Sequence, residues 1–185
     1  TSDPSLSPQG DYLAIVETQR TEEGNTTELN IYKTSKNTKL LEEFSEKTKE
    51  LLADDPQDIA DKAPSVFKRE VAYTLNQRNN RGIKNPRWLD KDTIIYGARS
   101  LAKKNNYHQD LFSWHLPTNT AKQLTTSANI RRFDISNDGQ YIIAERSRVG
   151  YSQLVKVSLV PATLGEITAE LTPKSLEQVY DFPRL

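Results

Sequence analysis

Residues 134–145 read DISNDGQYIIAE, and Asp134, Ser136, Asp138, Gly139 and Glu145 fall at the spacing of a calcium-binding EF-hand loop. Such a loop gathers oxygen ligands around a hard cation, turns sharply on its glycine and closes with a bidentate glutamate. Four of the five diagnostic positions match, with Ser136 at the remaining one. Two arguments run against a metal. Helices should flank the loop, whereas both flanks here have the character of strands. A chain that runs extended after Gly139 also carries Glu145 roughly 15–20 Å from the turn. Asn-Asp-Gly favours positive φ, so the stretch reads as a tight connection between strands.

The remaining candidates for chemistry are few. The chain has no cysteine, which removes thiolate catalysis, disulfides and cysteine-ligated zinc. His108 and His115, the two histidines, are seven apart around an expected strand. An odd spacing turns them to opposite faces, so a shared zinc site is not expected. No G-x-S-x-G occurs, and the acidic pairs Glu22/Glu23 and Asp54/Asp55 sit in polar loops as solvated surface. The most basic stretch, QRNNRGIKNPR (77–87), carries Arg78, Arg81, Lys84 and Arg87. It reads either as an anion- or partner-binding loop or as a solvated connector, and the connector is the favoured reading. ERSRVGYSQ (145–153) reads in the same way, as a loop between strands. Trp88, Trp114, Tyr12, Tyr96, Tyr141 and Phe112 recur on expected strands and read as packing residues. No catalytic, cofactor-binding or metal-binding residue is assigned. Lysine plus arginine equals aspartate plus glutamate at 25 each, so no long-range field draws a polyanion and no nucleic-acid partner is expected. No apolar run approaches the roughly 20 residues of a membrane span.

The elements that hold these residues repeat. LSPQGDYLAIV (6–16) superposes on ISNDGQYIIAE (135–145), aligning Leu6 with Ile135, Ser7 with Ser136, Gly10 with Gly139 and Tyr12 with Tyr141. Ser5, Gln9 and Val16 then stand where calcium ligands would be, so the turn repeats and the ligands do not. A third copy begins at NPRWLDKDTIIYGA, with Trp88 at the Leu6 position and Asp92 where the glycine would be. Leu185 in the terminal VYDFPRL falls at that position again. Each copy continues through an alternating strand: ELNIYKT (28–34), DLFSWHL (110–116) and QLVKVSL (153–159). TAKQLTT (120–126) and ITAELTP (167–173) are expected closing strands. Four short antiparallel strands in roughly 40–50 residues make one blade of a β-propeller. The expected architecture is therefore all-β, one partial propeller domain over 1–185. Blades are placed at 1–41, 86–126 and 127–173, with the start of a next blade at 174–185. Residues 42–85 break the pattern. EEFSEKTKELLADDPQD has Phe44, Leu51 and Leu52 at helical spacing up to Pro56, and SVFKREVAYTL (65–75) reads as strand. This region is expected to be a helix-containing insertion with one strand pair, or a degenerate blade.

The repeat resembles that of TolB-like β-propellers, whose unit runs apolar–Ser–Pro–Asp–Gly–x–x–Ile–Ala–Phe, then Asp–Ile–Tyr, then Leu–Thr. DLFSWHLPTNTAKQLT is the copy most similar to that unit, and the resemblance spans roughly three-quarters of the chain, leaving out 42–85. Related blades also form the propeller of prolyl-oligopeptidase-family peptidases. The resemblance implies a periplasmic or cell-envelope location and a non-catalytic scaffold that binds a protein or small ligand at a propeller rim. It also leaves open an accessory propeller of a serine peptidase, or the sensor portion of a membrane-anchored regulator. Three blades where such propellers carry six to eight, and a start at Thr1, imply a piece of a longer protein.

Overall fold

The computed structural model describes residues 2–22, 24–37, 69–75, 82–101, 106–149, 151–159 and 177–183, together with Lys39, Glu42, Ser45 and Glu46, whose backbone is helical. Among them, twelve strands form three four-stranded antiparallel sheets, each ordered as in the chain. The first sheet contains β1 (Ser2–Leu6), β2 (Tyr12–Thr21), β3 (Gly24–Lys33) and β4 (Val71–Thr74). The second contains β5 (Lys84–Trp88), β6 (Thr93–Leu101), β7 (Tyr107–His115) and β8 (Thr120–Gln123). The third contains β9 (Ile130–Ile135), β10 (Tyr141–Ser147), β11 (Tyr151–Ser158) and β12 (Glu177–Pro183). This is the expected all-β propeller architecture.

The sheets stack face to face and share two cores. Ala14, Val16, Leu29 and Ile31 of the first sheet meet Trp88, Ile94, Tyr96 and Trp114 of the second. Ile95 and Leu111, on the other face of the second sheet, meet Phe133, Ile142, Ala144, Val155 and Val157 of the third. The middle sheet is covered on both sides, which is why TIIYGA reads as a continuous apolar run and is buried throughout. The aromatics pack as expected from the sequence. Tyr12 stacks on Trp88 at 6.3 Å and meets Tyr73 edge-on at 6.2 Å, while Tyr96 stacks on Phe112 at 5.6 Å.

A common hydrogen-bond frame underlies the repeat. In the first and third sheets the turn serine donates its N–H to the carbonyl of the tyrosine five residues on, Ser7 to Tyr12 and Ser136 to Tyr141, at 2.9 Å in each. The same serine Oγ accepts the tyrosine N–H, at 3.0 Å and 3.1 Å. Gly10 and Gly139 follow with φ of 79° and 68°, a conformation that disfavours any Cβ. In the second sheet the turn is one residue shorter. Trp88 pairs with Ile94, where Leu6 pairs with Leu13 and Ile135 with Ile142. Asp90 Oδ1 accepts the Asp92 N–H at 2.8 Å, so a side chain stabilises the turn and no glycine is needed. Asp92 therefore occupies the place of Asp11 and Gln140 rather than that of the glycine. The carbonyls of these three residues accept the N–H of Leu116, Thr34 and Leu159 in turn.

Two boundaries differ from those expected. The first blade does not end at residue 41: β4 pairs with β3 through Ile31↔Tyr73 and Asn30↔Thr74. The irregular region thus interrupts the first sheet between its third and fourth strands, and β5 of the second sheet is the next strand described. The expected helix residues Phe44, Leu51, Leu52 and Pro56 lie outside the described residues. At the other end, Glu177–Pro183 is the fourth strand of the third sheet, with Leu154↔Tyr180 and Ser152↔Phe182, rather than the first strand of a next blade. First and fourth strands are edge strands of their sheets, assigned by pairing, so their residue patterns do not show which neighbour they join. ITAELTP and Leu185 lie outside the described residues.

Candidate functional site

The carboxylates of the near-match to a calcium loop have other partners in the fold. Asp138 Oδ1 accepts from Ser136 Oγ at 2.5 Å and from Gln140 N at 3.1 Å, and these two donors hold the carboxyl below its usual range. Asp134 pairs with Arg87 at 3.5 Å, and Glu145 with Arg131 at 3.6 Å on another strand pair. Among the described residues, no group of three or more His, Asp or Glu is placed to hold a metal. Millimolar calcium is expected to leave the melting temperature unmoved, whereas Ser136→Ala should cost about 1 kcal/mol through its lost turn bond. Differential scanning fluorimetry measures both, and a calcium shift lost in Glu145→Gln would reverse the assignment.

The histidines sit at the two ends of β7, with His115 Nδ1 at 2.8 Å from Thr118 Oγ1. Seven steps along the strand separate them by roughly 23 Å. Outside the frame, Glu17 accepts from Tyr32 Oη at 3.0 Å and from Asn30 Nδ2 at 2.8 Å. Burial first, then Glu17, push the Tyr32 phenol up to about 12.

The ends of β2, β6 and β10, the starts of β3, β7 and β11, and the β8–β9 connector lie at one rim of the stack. Its foundation is Asp110, which is fully buried on β7. Asp110 Oδ1 accepts from Thr125 Oγ1 and from Ala128 N, both at 2.8 Å. Its Oδ2 accepts from Ser127 N at 3.0 Å and from Ser100 Oγ. Thr125 Oγ1 in turn accepts the N–H of Leu111 at 2.9 Å. The Asp and Thr of the repeat motif are therefore partners, and together they lock the β8–β9 connector, where Ser127 and Asn129 take φ of 55° and 56°. Arg146 is buried beside it and donates Nε to the Ala128 carbonyl at 3.1 Å. Burial, and then Arg148, draw its guanidinium below the ordinary value.

On this locked connector lies an open cleft of about 560 Å³, lined by His108, Ser127, Asn129, Arg146, Arg148 and Val149 among others. A second cleft of about 500 Å³ lies nearer the inner strands, between Lys84, Asn85, Arg131, Arg132 and Glu145. The basic stretch singled out in the sequence is thus divided. Gly82–Trp88 enters β5 and its approach, placing Lys84 in the inner cleft, while Arg78 and Arg81 lie outside the described residues. Arg146 belongs to the second basic cluster singled out in the sequence, 145–153, whereas Arg131 and Arg132 carried no signal there and reach this cleft only through the stacking of the second and third sheets. Among the described residues, no helix is long and apolar enough to cross a membrane.

No protein-family profile and no curated protein matches this sequence. Solved structures do share its fold. TolB from Acinetobacter baumannii superposes with a TM-score of 0.52 at 14% identity, over 89% of this chain and 33% of that one. The propeller domain of the Trilobed protease from Pyrococcus furiosus, described as having an open velcro topology, superposes with a TM-score of 0.50 at 14% identity, over 99% of this chain and 42% of that one. The chain thus spans less than half the length of either, and at these identities the likeness is one of fold. In fold the chain is three consecutive four-stranded blades of a β-propeller similar to TolB.

Proposed function

We propose that this chain is a non-catalytic binding scaffold of the cell envelope, presenting the rim formed by the β6–β7 and β10–β11 hairpins to a protein or small ligand. The observation that carries the reading is the contrast at that rim. A connector tied down by the buried Asp110 supports an open cleft lined by Val149, which is 98% exposed, and Tyr107, next to the lining residue His108 in the chain, is 68% exposed. Large apolar side chains held out on a rigid base are the usual anatomy of a recognition surface. The envelope location rests on the likeness to TolB. Photo-crosslinking residues placed at Tyr107 and Val149 are expected to give discrete adducts in intact cells, and one at Asn137 on the opposite rim none. Equal labelling at all three sites would count against the scaffold. The likeness to the protease propeller supports a second reading, in which the same rim screens peptides on the way to a catalytic domain. Turnover of a prolyl peptide by the chain, lost on substituting one of its own residues, would end the non-catalytic assignment.

A further inference from the structure

The inner cleft concentrates like charge. Lys84 on β5 and Arg131 and Arg132 on β9 line it, with Glu145 as the carboxylate among the lining residues. Glu145 is already engaged, with Arg131 at 3.6 Å and the Ser152 hydroxyl at 3.3 Å. Arg99 adds a further cation, its stem lying where a Cβ on Gly82 would stand only 3.0 Å away. Asn85 holds the strands together from a left-handed φ of 50°, donating Nδ2 to the Arg131 carbonyl at 3.3 Å. Burial first, then Arg131, Arg99 and Arg132, draw the Lys84 ammonium below its ordinary value, opposed by Glu145. Cations on adjoining strands repel, and a fold gains nothing by gathering them without an anion. The zero net charge of the whole chain conceals this, because a sum over all residues ignores where they sit.

We propose that this cleft takes the carboxylates of an acidic, apolar-containing peptide segment of a partner protein, which crosses the rim from Lys84 and Arg132 toward Tyr107 and Val149. The proposal rests on the scaffold reading and names the chemistry of its partner. Arginine forks match carboxylates in a bidentate geometry and suit them better than a point charge does. The cleft is open rather than closed around a small anion, and the next cleft along the rim carries His108, Arg148 and the exposed Val149. Cations at one end and apolar side chains at the other fit a segment that alternates acidic and apolar residues.

The test uses the 185-residue chain and a fluorescently labelled synthetic peptide of glutamate, leucine and phenylalanine, followed by anisotropy. The peptide should bind, weakening as salt shortens the Debye length to about 8 Å, and its glutamine counterpart should bind about ten-fold less well. Lys84→Gln and Arg132→Gln should each lower the affinity about five-fold while keeping the circular dichroism spectrum. Equal binding of the two peptides, or unchanged affinity in both variants, would overturn the proposal. So would tighter binding of a single-stranded oligonucleotide than of the peptide. Rim adducts in cells together with equal peptide binding would refute the acidic partner and leave the scaffold standing.

Discussion

Replacing Asp110 by alanine is expected to lower the melting temperature by roughly 6–12 °C, the equivalent of about 3 kcal/mol in a chain of this length. The carboxylate is fully buried and accepts from two backbone amides and two hydroxyls. Truncation leaves the N–H groups of Ser127 and Ala128 facing a cavity, and an unsatisfied buried donor loses the full cost of its desolvation. It also removes a negative charge that favours the buried Arg146 guanidinium. Asp110→Asn keeps one acceptor oxygen and should cost less than half as much. Urea denaturation measures both variants. An alanine variant within about 0.5 kcal/mol of the parent would mean that water replaces the carboxylate and that the connector is not locked.

Trp114→Ala is the second large expected effect, about 3–5 kcal/mol. The indole is completely buried in the core shared by the first and second sheets, and its Nε1 donates to Asn119 Oδ1 at 2.8 Å. Stacked repeats are held by their interfaces, so the cavity should uncouple the first blade from the second as well as destabilise both. The unfolding transition is then expected to broaden, with a smaller dependence on urea. Trp88 becomes the sole tryptophan in this variant and its fluorescence reports on that interface alone. Trp114→Phe retains most of the apolar volume and should lie between the variant and the parent. An alanine variant that unfolds as sharply as the parent would show that the blades do not rely on this side chain.

How much of this was legible in the sequence follows from what each feature depends on. The turns repeat because Ser7 and Ser136 make the same local bonds, and local bonds write themselves into adjacent residues. The alternation of DLFSWHL and QLVKVSL showed strands, since one face of each meets a core. The missed boundaries concern edge strands, where β4 and β12 are identified only by their partners. Asp110 and Thr125 stood in the recognised motif, yet fifteen positions of chain hide the fact that they touch. Lys84 was noticed as part of a basic stretch, but the cluster it joins is assembled across a blade boundary from Arg131 and Arg132. Such a site has no contiguous sequence to be read.

The long excursion inside the first sheet has a kinetic consequence. Thirty-seven residues, 34–70, separate β3 from β4, where four residues, 116–119, separate β7 from β8. By sequence separation alone, bringing β4 to β3 costs about 2 kcal/mol more chain entropy than bringing β8 to β7, and β4 answers with only four residues of ladder. The inner strands of the first blade are joined by short turns and form early. Its outer edge is therefore the last part of the sheet to assemble and the first to open, so the blade matures from the axis outward.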